Sequence, residues 1–264
     1  MENPRVNILI CNNNYEDWVI DAIDSAINQT YPDISITYID DGSTDSSWKK
    51  VCNHLNKSRL HKKILHDKFD IRTCEYVDKK HSRTIPINLI KLDKSYGPAF
   101  ARNIGIELSI DKSEFQMVLD ADDKMYKNKV LRFVEEAMKL QPLIGIVYGD
   151  YITHNTENGL EVAEYKQNFD FNSLTRECII HSGSLISSQA LKSVYDQFGF
   201  YDVNLRVCED YDLWIRITKN FLAIHVPECL TFVRVTPKNS TNQVNKDIWS
   251  ACMNRVIQKN FNGN

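Results

Sequence analysis

The sequence predicts an α/β domain in which helices flank a Rossmann-like, mostly parallel central sheet. The first observation behind this prediction is the opening order of strand, amphipathic helix, strand and helix, which is typical of parallel sheets with right-handed crossovers. The second is a pair of acidic clusters, Asp40-Asp41 and Asp120-Ala121-Asp122-Asp123. Each cluster directly follows an apolar run of the kind that forms a buried strand.

The elements of the first half follow from periodicity and turn residues. Apolar runs predict strands at residues 6–10, 35–39, 85–92, 115–119 and 144–148. Helical spacing predicts helices at 18–27, 45–56, about 98–109 and 126–140. Residues 57–84 are rich in Lys, Arg and His and show little periodicity. We expect there a solvated excursion with a short helix, or alternatively a variable loop over a binding site.

The second half is less regular and predicts a smaller, mixed portion of the fold. Residues 151–180 are polar and only weakly strand-like, and His181-Ser182-Gly183-Ser184 is typical of a loop or bulge. A compact helix is predicted at 209–219, and a terminal helix at 246–260. Two short strands are expected between them, at residues 221–226 and 230–235.

Composition excludes several function classes for this chain of 264 residues. Apolar residues make up 42% and charged residues 25%, and the net charge of −3 gives no reason to expect nucleic acid as a partner. The seven cysteines contain no C-x-x-C pair, which predicts free thiols in a reducing compartment. The sequence has no run of 18 uncharged apolar residues that could form a transmembrane helix, and the start of the first strand leaves no room for a signal peptide. We therefore expect a cytoplasmic location.

The acidic clusters predict a site that uses a metal ion. Ligands of open α/β sheets bind beyond the carboxyl ends of the strands, where these clusters should meet. Converging carboxylates repel each other unless a cation joins them. A hard divalent ion that carries a phosphorylated substrate needs only one or two protein carboxylates, since phosphate oxygens and water complete its octahedron. Alternatively, the turn around Asp120 and Asp122 is a solvated cap of the next helix.

Two further acidic segments allow a structural and a functional interpretation. The Asp40-Asp41-Gly42-Ser43 segment is either an ordinary turn with a helix cap or an acceptor for a nucleobase N–H. Glu209-Asp210 opens a helix, where the helix dipole favours acidic residues in any protein. The functional alternative is a general base that accepts a proton from an attacking hydroxyl.

Taken together, these segments resemble glycosyltransferase family 2. The resemblance comprises Ile8-Leu9-Ile10, Asn14, Ser25, Asn28-Gln29-Thr30-Tyr31-Pro32, Ile39-Asp40-Asp41-Gly42-Ser43-Thr44-Asp45, residues 97–105, Leu119-Asp120-Ala121-Asp122-Asp123, Ser182-Gly183 and residues 209–216. It covers about residues 5–235 in the family's order. It implies the GT-A fold as a single domain over residues 1–264. That domain would have a nucleotide-sugar-binding half (about 1–125), an acceptor-side half (about 126–240) and a C-terminal helix (241–264).

The resemblance also implies roles around the sugar donor. Asp41, with Asp40 beside it, would contact the nucleoside, which in this family is most often uridine. Asn14, Arg102 and Asn103 would lie near the donor. The donor would therefore be a nucleotide-diphosphate sugar, most often a UDP-sugar.

The remaining implied roles concern the metal and the chemistry. Asp122 and Asp123 would hold Mn²⁺ or Mg²⁺ with the diphosphate, and Asp120 would support them. Asp210 would be the catalytic base, with Glu209 next to it. The implied reaction is a single displacement with inversion onto a hydroxyl of a glycan or lipid-linked acceptor, in glycan or polysaccharide synthesis. A lipid-linked acceptor would bring the enzyme to the inner face of the membrane.

Two other function classes stay open at this point. A nucleotidyltransferase normally has a basic, Gly-rich loop after the first strand, and residues 11–17 contain no Gly, Lys or Arg. A degenerate module would bind nucleotide sugars without turnover. An enzyme would release nucleoside diphosphate from a donor, whereas such a module would not.

Three positions depart from the family pattern. Cys11 stands where proline is usual, and Asn13 stands where an aromatic residue often stacks on the base. Thr236 stands where many members have a histidine that helps to bind metal. His181 and His225 are candidates to compensate for that histidine, with a structural role as the alternative.

Overall fold

The computed structural model describes residues 3–55, 59–66, 69–237, 239 and 243–262. Its strands are β1 (Val6–Asn12), β2 (Ile34–Asp40), β3 (Arg59–His66), β4 (Phe69–Asp78), β5 (Arg83–Leu92), β6 (Phe115–Asp120), β7 (Lys124–Met125), β8 (Ile144–Asn155), β9 (Glu161–Glu164), β10 (Leu185–Ser187) and β11 (Leu222–Val235). Its helices are α1 (Val19–Ile27), α2 (Ser47–His54), α3 (Pro98–Ser109), α4 (Lys129–Met138), α5 (Phe171–Leu174), α6 (Ser188–Ser193), α7 (Glu209–Thr218) and α8 (Lys246–Ile257), and a π-helical turn (Gln258–Asn262) follows α8. None of the helices in these ranges is long and apolar enough to span a bilayer.

The described strands form one mixed sheet, and the α/β class is confirmed. The strand order is β3-β4-β5-β2-β1-β6-β10-β8-β11-β7, with β9 paired to β8. The inner strands β5, β2, β1 and β6 are parallel, as the opening pattern predicts. Antiparallel strands extend this parallel core on both sides: β4 pairs with β5, and β10 lies between β6 and β8.

Apolar side chains pack on both faces of the sheet. Alternate residues of β1 divide between the two faces: Ile8 and Ile10 belong to one apolar cluster, and Leu9 belongs to the other. Helices α1, α2 and α4 cover the first face, and α3, α6, α7 and α8 cover the second. The helix predicted at residues 18–27 is confirmed as α1. Its apolar residues at helical spacing, Val19, Ala22, Ile23, Ala26 and Ile27, are all buried. Burial on both faces explains why the central strands are apolar throughout.

The expectation for residues 57–84 was wrong where the structure describes them. This segment forms β3 and β4, and β4 pairs antiparallel with β5 from Phe69↔Leu92 to Asp78↔Arg83. The sheet therefore continues through the segment instead of giving way to a solvated excursion. The strands were not predicted because charged residues interrupt the apolar pattern of this segment. Such residues are compatible with a hairpin at the edge of a sheet, since one face of it can remain in water.

The second half contains longer strands than the sequence indicates. Strand β8 continues to Asn155 and pairs with β9, whereas only residues 144–148 were predicted. The two strands expected at 221–226 and 230–235 are one bulged strand, β11, parallel to β8. The helices at 209–219 and 246–260 are confirmed as α7 and α8 with its π-helical extension.

The strand register brings the two acidic clusters to the same edge of the sheet. Asn12, the last residue of β1, is opposite Asp40 of β2, and Cys11 is opposite Asp120 of β6. Neighbouring strands are about 4.8 Å apart, so the ends of β2 and β6 are separated by roughly 10 Å across β1. The order of successive strands also reverses at β1, because β2 and β5 lie on one side of it and β6 lies on the other. This makes the edge the switch point where ligands of such sheets bind.

Candidate active site

A cleft of about 460 Å³ opens at the carboxyl ends of β1, β2 and β6. Its walls come from the loops after these strands, from the start of α7 and from the C-terminal segment. The predicted site residues that line it are Asn14, Asp41, Arg102, Asp120, Asp122, Glu209 and Asp210. The other three predicted residues, Asp40, Asn103 and Asp123, are not part of its lining.

Asp122 is a buried carboxylate of the turn after β6 that also lines the cleft. Its side chain is 4% exposed, and its Oδ2 accepts a hydrogen bond of 2.8 Å from Asn239 Nδ2. The Tyr15 hydroxyl lies near this carboxylate. Arg234 Nη1 donates to the main-chain oxygen of Asp122 at 2.6 Å. Burial and the nearby Asp120 raise the pKa of Asp122 to about 7. A cation at this turn would relieve the repulsion between the two carboxylates.

Asp123 faces away from the cleft, although the sequence pattern groups it with Asp122. Its Oδ1 accepts a 2.9 Å hydrogen bond from the backbone N–H of Arg234 in β11. Burial and the neighbouring Asp122 raise its pKa well above the usual range. The predicted metal role of Asp123 therefore has no support from its placement, since the side chain ties the turn to β11.

The donor set at this turn fits a hard divalent cation. Asp120, whose side chain is 33% exposed, and Asp122 offer carboxylate oxygens to the cleft. Within the described ranges, no three His, Cys, Asp or Glu side chains come together in a way that could hold a metal ion by themselves. One or two carboxylates are what Mg²⁺ or Mn²⁺ needs when a diphosphate supplies further oxygens.

Arg102 joins the metal turn to the start of α7. Its Nη1 lies 2.5 Å from Glu209 Oε1, and its Nη2 lies 3.0 Å from Asp120 Oδ1. Burial alone would lower the pKa of Arg102, but Asp120 and Glu209 outweigh burial and hold it well above its usual value. The guanidinium group is thus permanently charged and fixes two carboxylates from distant parts of the chain.

Glu209 and Asp210 have different surroundings although they are adjacent. The Glu209 carboxylate is 10% exposed and is occupied by Arg102. Asp210 lines the cleft at the first turn of α7, where its Oδ1 accepts from the backbone N–H of Tyr211 at 2.7 Å. Burial and the charge of Glu209 raise the pKa of Asp210 to about 6. Of this pair, Asp210 is the carboxylate that is placed to accept a proton from a ligand.

Removing the Arg102 charge should destabilise the protein. Arg102→Met leaves Glu209 buried without its partner, and breaking a buried ion pair in this way costs about 3–5 kcal/mol. Equilibrium unfolding in urea measures the loss. Arg176→Met is the control, because Arg176 is exposed and such surface changes stay within about 0.5 kcal/mol. A loss below about 1 kcal/mol for Arg102→Met would contradict the bridging role.

Asp41 organises the loop before α3. Its carboxylate accepts hydrogen bonds from Ser95 Oγ at 2.8 Å, from the N–H of Tyr96 at 2.8 Å and from the N–H of Gly97 at 2.9 Å. Gly42 follows with φ +64, and a β-carbon at this position would overlap the backbone of Lys94. Glycine is therefore required for the close approach of the two loops. Asp41 still lines the cleft, beside this loop.

Asp40 and Asn103 lie behind the cleft, so their predicted donor contacts are corrected. Asp40 is 0% exposed and accepts hydrogen bonds from the Ser43 N–H at 2.8 Å and from Asn12 Nδ2 at 3.1 Å. Asn103 exchanges two hydrogen bonds with the backbone of Tyr201, at 2.9 and 2.8 Å. Both side chains hold backbone in place and have no free path to a ligand.

Asn14 has a mixed role at the rim of the cleft. It has a left-handed backbone, with φ +62, which asparagine tolerates better than most residues. Its Oδ1 accepts from the N–H of Thr44 at 2.8 Å and from the N–H of Asp45 at 3.2 Å. Asn14 therefore joins the loop after β1 to the loop after β2, and it also lines the cleft.

Neither histidine that was considered for the metal lines the cleft. The His225 Nε2 lies 2.7 Å from Asp150 Oδ1, in the sheet region of β8 and β11. His181 Nδ1 accepts from the N–H of Gly183 at 3.0 Å, and burial together with Lys129 lowers its pKa to about 3. Both placements favour the structural alternative.

Several cleft residues were not predicted from the sequence. They are Tyr15 in the loop after β1, Arg206 before α7, and Asn239, Gln243 and Trp249 from the C-terminal segment. The sequence gives little signal for them, because they lie outside the acidic clusters and the residues that they meet are far away in the chain. Asn239, for example, is 117 positions from Asp122.

Comparison with known proteins identifies similar sequences. A sequence profile described as Glycosyl transferase family 2 matches residues 7–70. An uncharacterized glycosyltransferase from Rickettsia felis is 27% identical over 250 residues, which are 91% of this chain and 35% of that protein. The chain thus spans about a third of the length of this relative.

Solved structures share the fold of this chain. TarS 1–349 from S. aureus, in complex with UDP-GlcNAc, has a TM-score of 0.67 at 13% identity and covers 97% of this chain and 67% of its own. The mannosyltransferase PcManGT from Pyrobaculum calidifontis, in complex with GDP-Man and Mn²⁺, has a TM-score of 0.61 at 14% identity. This match covers 98% of the present chain and 70% of PcManGT. The GT-A expectation for the fold is therefore confirmed.

Proposed function

Because this chain belongs to glycosyltransferase family 2, we propose that it transfers a sugar from a nucleotide-diphosphate sugar to a hydroxyl acceptor, with inversion. A single observation carries the proposal. One cleft brings the Asp120–Asp122 turn, suited to a metal-bound diphosphate, together with Asp210, suited to deprotonate an acceptor. These are the two groups that a single displacement at an anomeric carbon requires.

The donor occupies the part of the cleft between the loops after β1 and β2. Asn14 and Asp41 lie there, and we assign the nucleoside to this side. UDP-sugars are the first candidates, supported by the UDP and UDP-GlcNAc complexes of TarS. The GDP-Man complex of PcManGT makes GDP-sugars the alternative to include in a test.

Asp122 and Asp120 are assigned to Mn²⁺ or Mg²⁺ together with the donor diphosphate. When bound, such an ion neutralises the negative charge that develops on the leaving diphosphate. Arg102 keeps Asp120 in place through its 3.0 Å ion pair. Asp123 is assigned to holding the turn against β11 rather than to the ion.

Asp210 is assigned as the general base. A sugar hydroxyl has a high pKa and needs a proton acceptor as it attacks the anomeric carbon. Arg102 occupies Glu209, so the neighbouring carboxylate does not compete for this role. The acceptor would enter from the side of α7 and the C-terminal segment, where Arg206 and Trp249 line the cleft.

Transfer should depend on pH through Asp210. The base acts only when it is deprotonated, and its pKa is raised to about 6. We therefore expect kcat/KM to rise about tenfold per pH unit below pH 6 and to level off above it. Initial rates between pH 4.5 and 8 at saturating Mn²⁺ measure the profile. A profile that is flat from pH 5 to 7 would contradict this assignment.

The acceptor and the location follow as further parts of the proposal. We assign a glycan or lipid-linked hydroxyl as acceptor, in glycan or polysaccharide synthesis. All seven cysteines are free thiols, which supports a reducing compartment such as the cytoplasm. A lipid-linked acceptor would place the reaction at the inner face of the membrane.

A panel of nucleotide sugars tests the proposed function. The protein is incubated with each UDP-, GDP- and other nucleotide sugar, with Mn²⁺ and no acceptor, and the released nucleoside diphosphate is measured. An active transferase slowly hydrolyses its own donor under these conditions. If nucleotide raises the melting temperature but no donor is hydrolysed, the chain is a binding module. If no nucleotide binds at all, the proposed function is wrong.

A further inference from the structure

Two residues outside the family motifs converge on the carboxylate of Asp122. Tyr15 comes from the loop after β1, and Asn239 comes from the segment after β11. We propose that Tyr15 and Asn239 are positioning residues that hold Asp122 in the orientation in which it binds a divalent ion. This inference rests on the proposed function and names residues that determine the strength of its metal site.

The contacts of Asn239 fix which way its amide points. The backbone N–H of Thr236 can only donate, and it bonds Asn239 Oδ1. The amide nitrogen must then face Asp122, where Nδ2 lies 2.8 Å from Oδ2. An amide nitrogen is no ligand for a hard cation, so Asn239 acts on the ion through Asp122.

Tyr15 lies close to the same carboxylate. Its hydroxyl is near enough to Asp122 for the two groups to shift each other's pKa, and its ring packs against Trp18 with centroids 5.9 Å apart. The ring contact holds the phenol in place beside Asp122. Tyr15 also lines the cleft, which places this contact at the site itself.

Asp122 needs such support because Arg102 does not reach it. Arg102 fixes Asp120 and Glu209, while Arg234 bonds only the main-chain oxygen of Asp122. Among the described residues, the side chains that reach the Asp122 carboxylate from elsewhere in the chain are Asn239, by a 2.8 Å hydrogen bond, and Tyr15, by proximity. Partners that orient a metal-binding carboxylate typically contribute 10- to 100-fold to metal affinity.

The position of Asn239 also relates to Thr236, the residue that stands where many members of the family have a histidine. Thr236 is 1% exposed, and it stands where the family often has a metal-binding histidine. The backbone N–H of Asn239 donates to the carbonyl oxygen of Thr236 at 3.2 Å, and the Asn239 side chain reaches the metal turn. In this protein, the segment after β11 therefore contributes a hydrogen-bond donor to Asp122 where other members contribute a ligand.

Manganese binding by the full chain tests the proposal. Free Mn²⁺ is followed by electron paramagnetic resonance during titration of wild type, Tyr15→Phe and Asn239→Ala in the presence of UDP. We expect each variant to bind Mn²⁺ about 10- to 100-fold more weakly. UDP affinity without metal, measured by calorimetry, and the metal-free melting temperature should stay close to wild type, because the residues act through Asp122.

Matched controls carry the same chemical changes away from the cleft. Tyr165→Phe alters a tyrosine that is 77% exposed, and Asn254→Ala alters an exposed asparagine of α8. Both should bind Mn²⁺ like wild type. The proposal is overturned if Tyr15→Phe and Asn239→Ala bind Mn²⁺ within about twofold of wild type, or if they weaken UDP binding equally without metal. Wild type that binds no Mn²⁺ would instead overturn the metal site itself.

Discussion

Replacing Asp210 by asparagine is expected to lower the rate of sugar transfer by about 100- to 10,000-fold, the usual contribution of a general base. Asparagine has the shape of aspartate but cannot accept the proton of the attacking hydroxyl. Its Oδ1 can still accept the hydrogen bond from the Tyr211 N–H, so the first turn of α7 should keep its structure. Donor binding should persist because Asp210 is not assigned to the metal or the nucleoside.

The measurement combines a transfer assay with calorimetric titration of UDP and Mn²⁺ into wild type and Asp210→Asn. Glu209→Gln serves as the matched neighbour, because it removes a carboxylate one position away that is bound to Arg102 at 2.5 Å. We expect Glu209→Gln to lose stability while it retains more transfer than Asp210→Asn. If Asp210→Asn transfers sugar at more than about a tenth of the wild-type rate, the base lies elsewhere.

The parts of the fold that depend on local patterns were predictable. Helix α1 has its apolar residues at helical spacing, and all five of its buried positions are among these residues. The hairpin of β3 and β4 was missed because its pairing with β5 joins residues up to 23 positions apart, as in Phe69↔Leu92. Its charged side chains gave no apolar run to indicate a strand.

The candidate site was likewise predictable only in the parts that local motifs determine. The motifs placed both acidic turns at the edge of the sheet, but they could not say which side chains face the cleft. Adjacent residues point in different directions, so Asp41 lines the cleft while Asp40 is fully buried. Contacts such as Asn239 with Asp122 depend on the folded path of the chain after β11 and leave no mark in a linear motif.

Asp122→Asn is expected to abolish the dependence of donor binding on metal. The substitution removes the negative charge at the one carboxylate of the turn that is both buried and open to the cleft. Loss of a direct ligand should weaken Mn²⁺ binding by more than about 100-fold, beyond the effect of removing an orienting partner. Calorimetric titration of UDP into the protein, with and without Mn²⁺, measures the difference.

Asp123→Asn provides the sharpest comparison, because it makes the same chemical change one residue later. Asparagine Oδ1 can still accept from the Arg234 N–H, so the attachment of the turn to β11 should survive. We therefore expect Asp123→Asn to retain Mn²⁺-dependent binding of UDP, in contrast to Asp122→Asn. If Asp122→Asn binds UDP and Mn²⁺ as well as wild type, Asp122 is not a metal ligand. If Asp123→Asn loses metal-dependent binding instead, both carboxylates must turn toward the ion, and the described orientation of Asp123 does not persist in the complex.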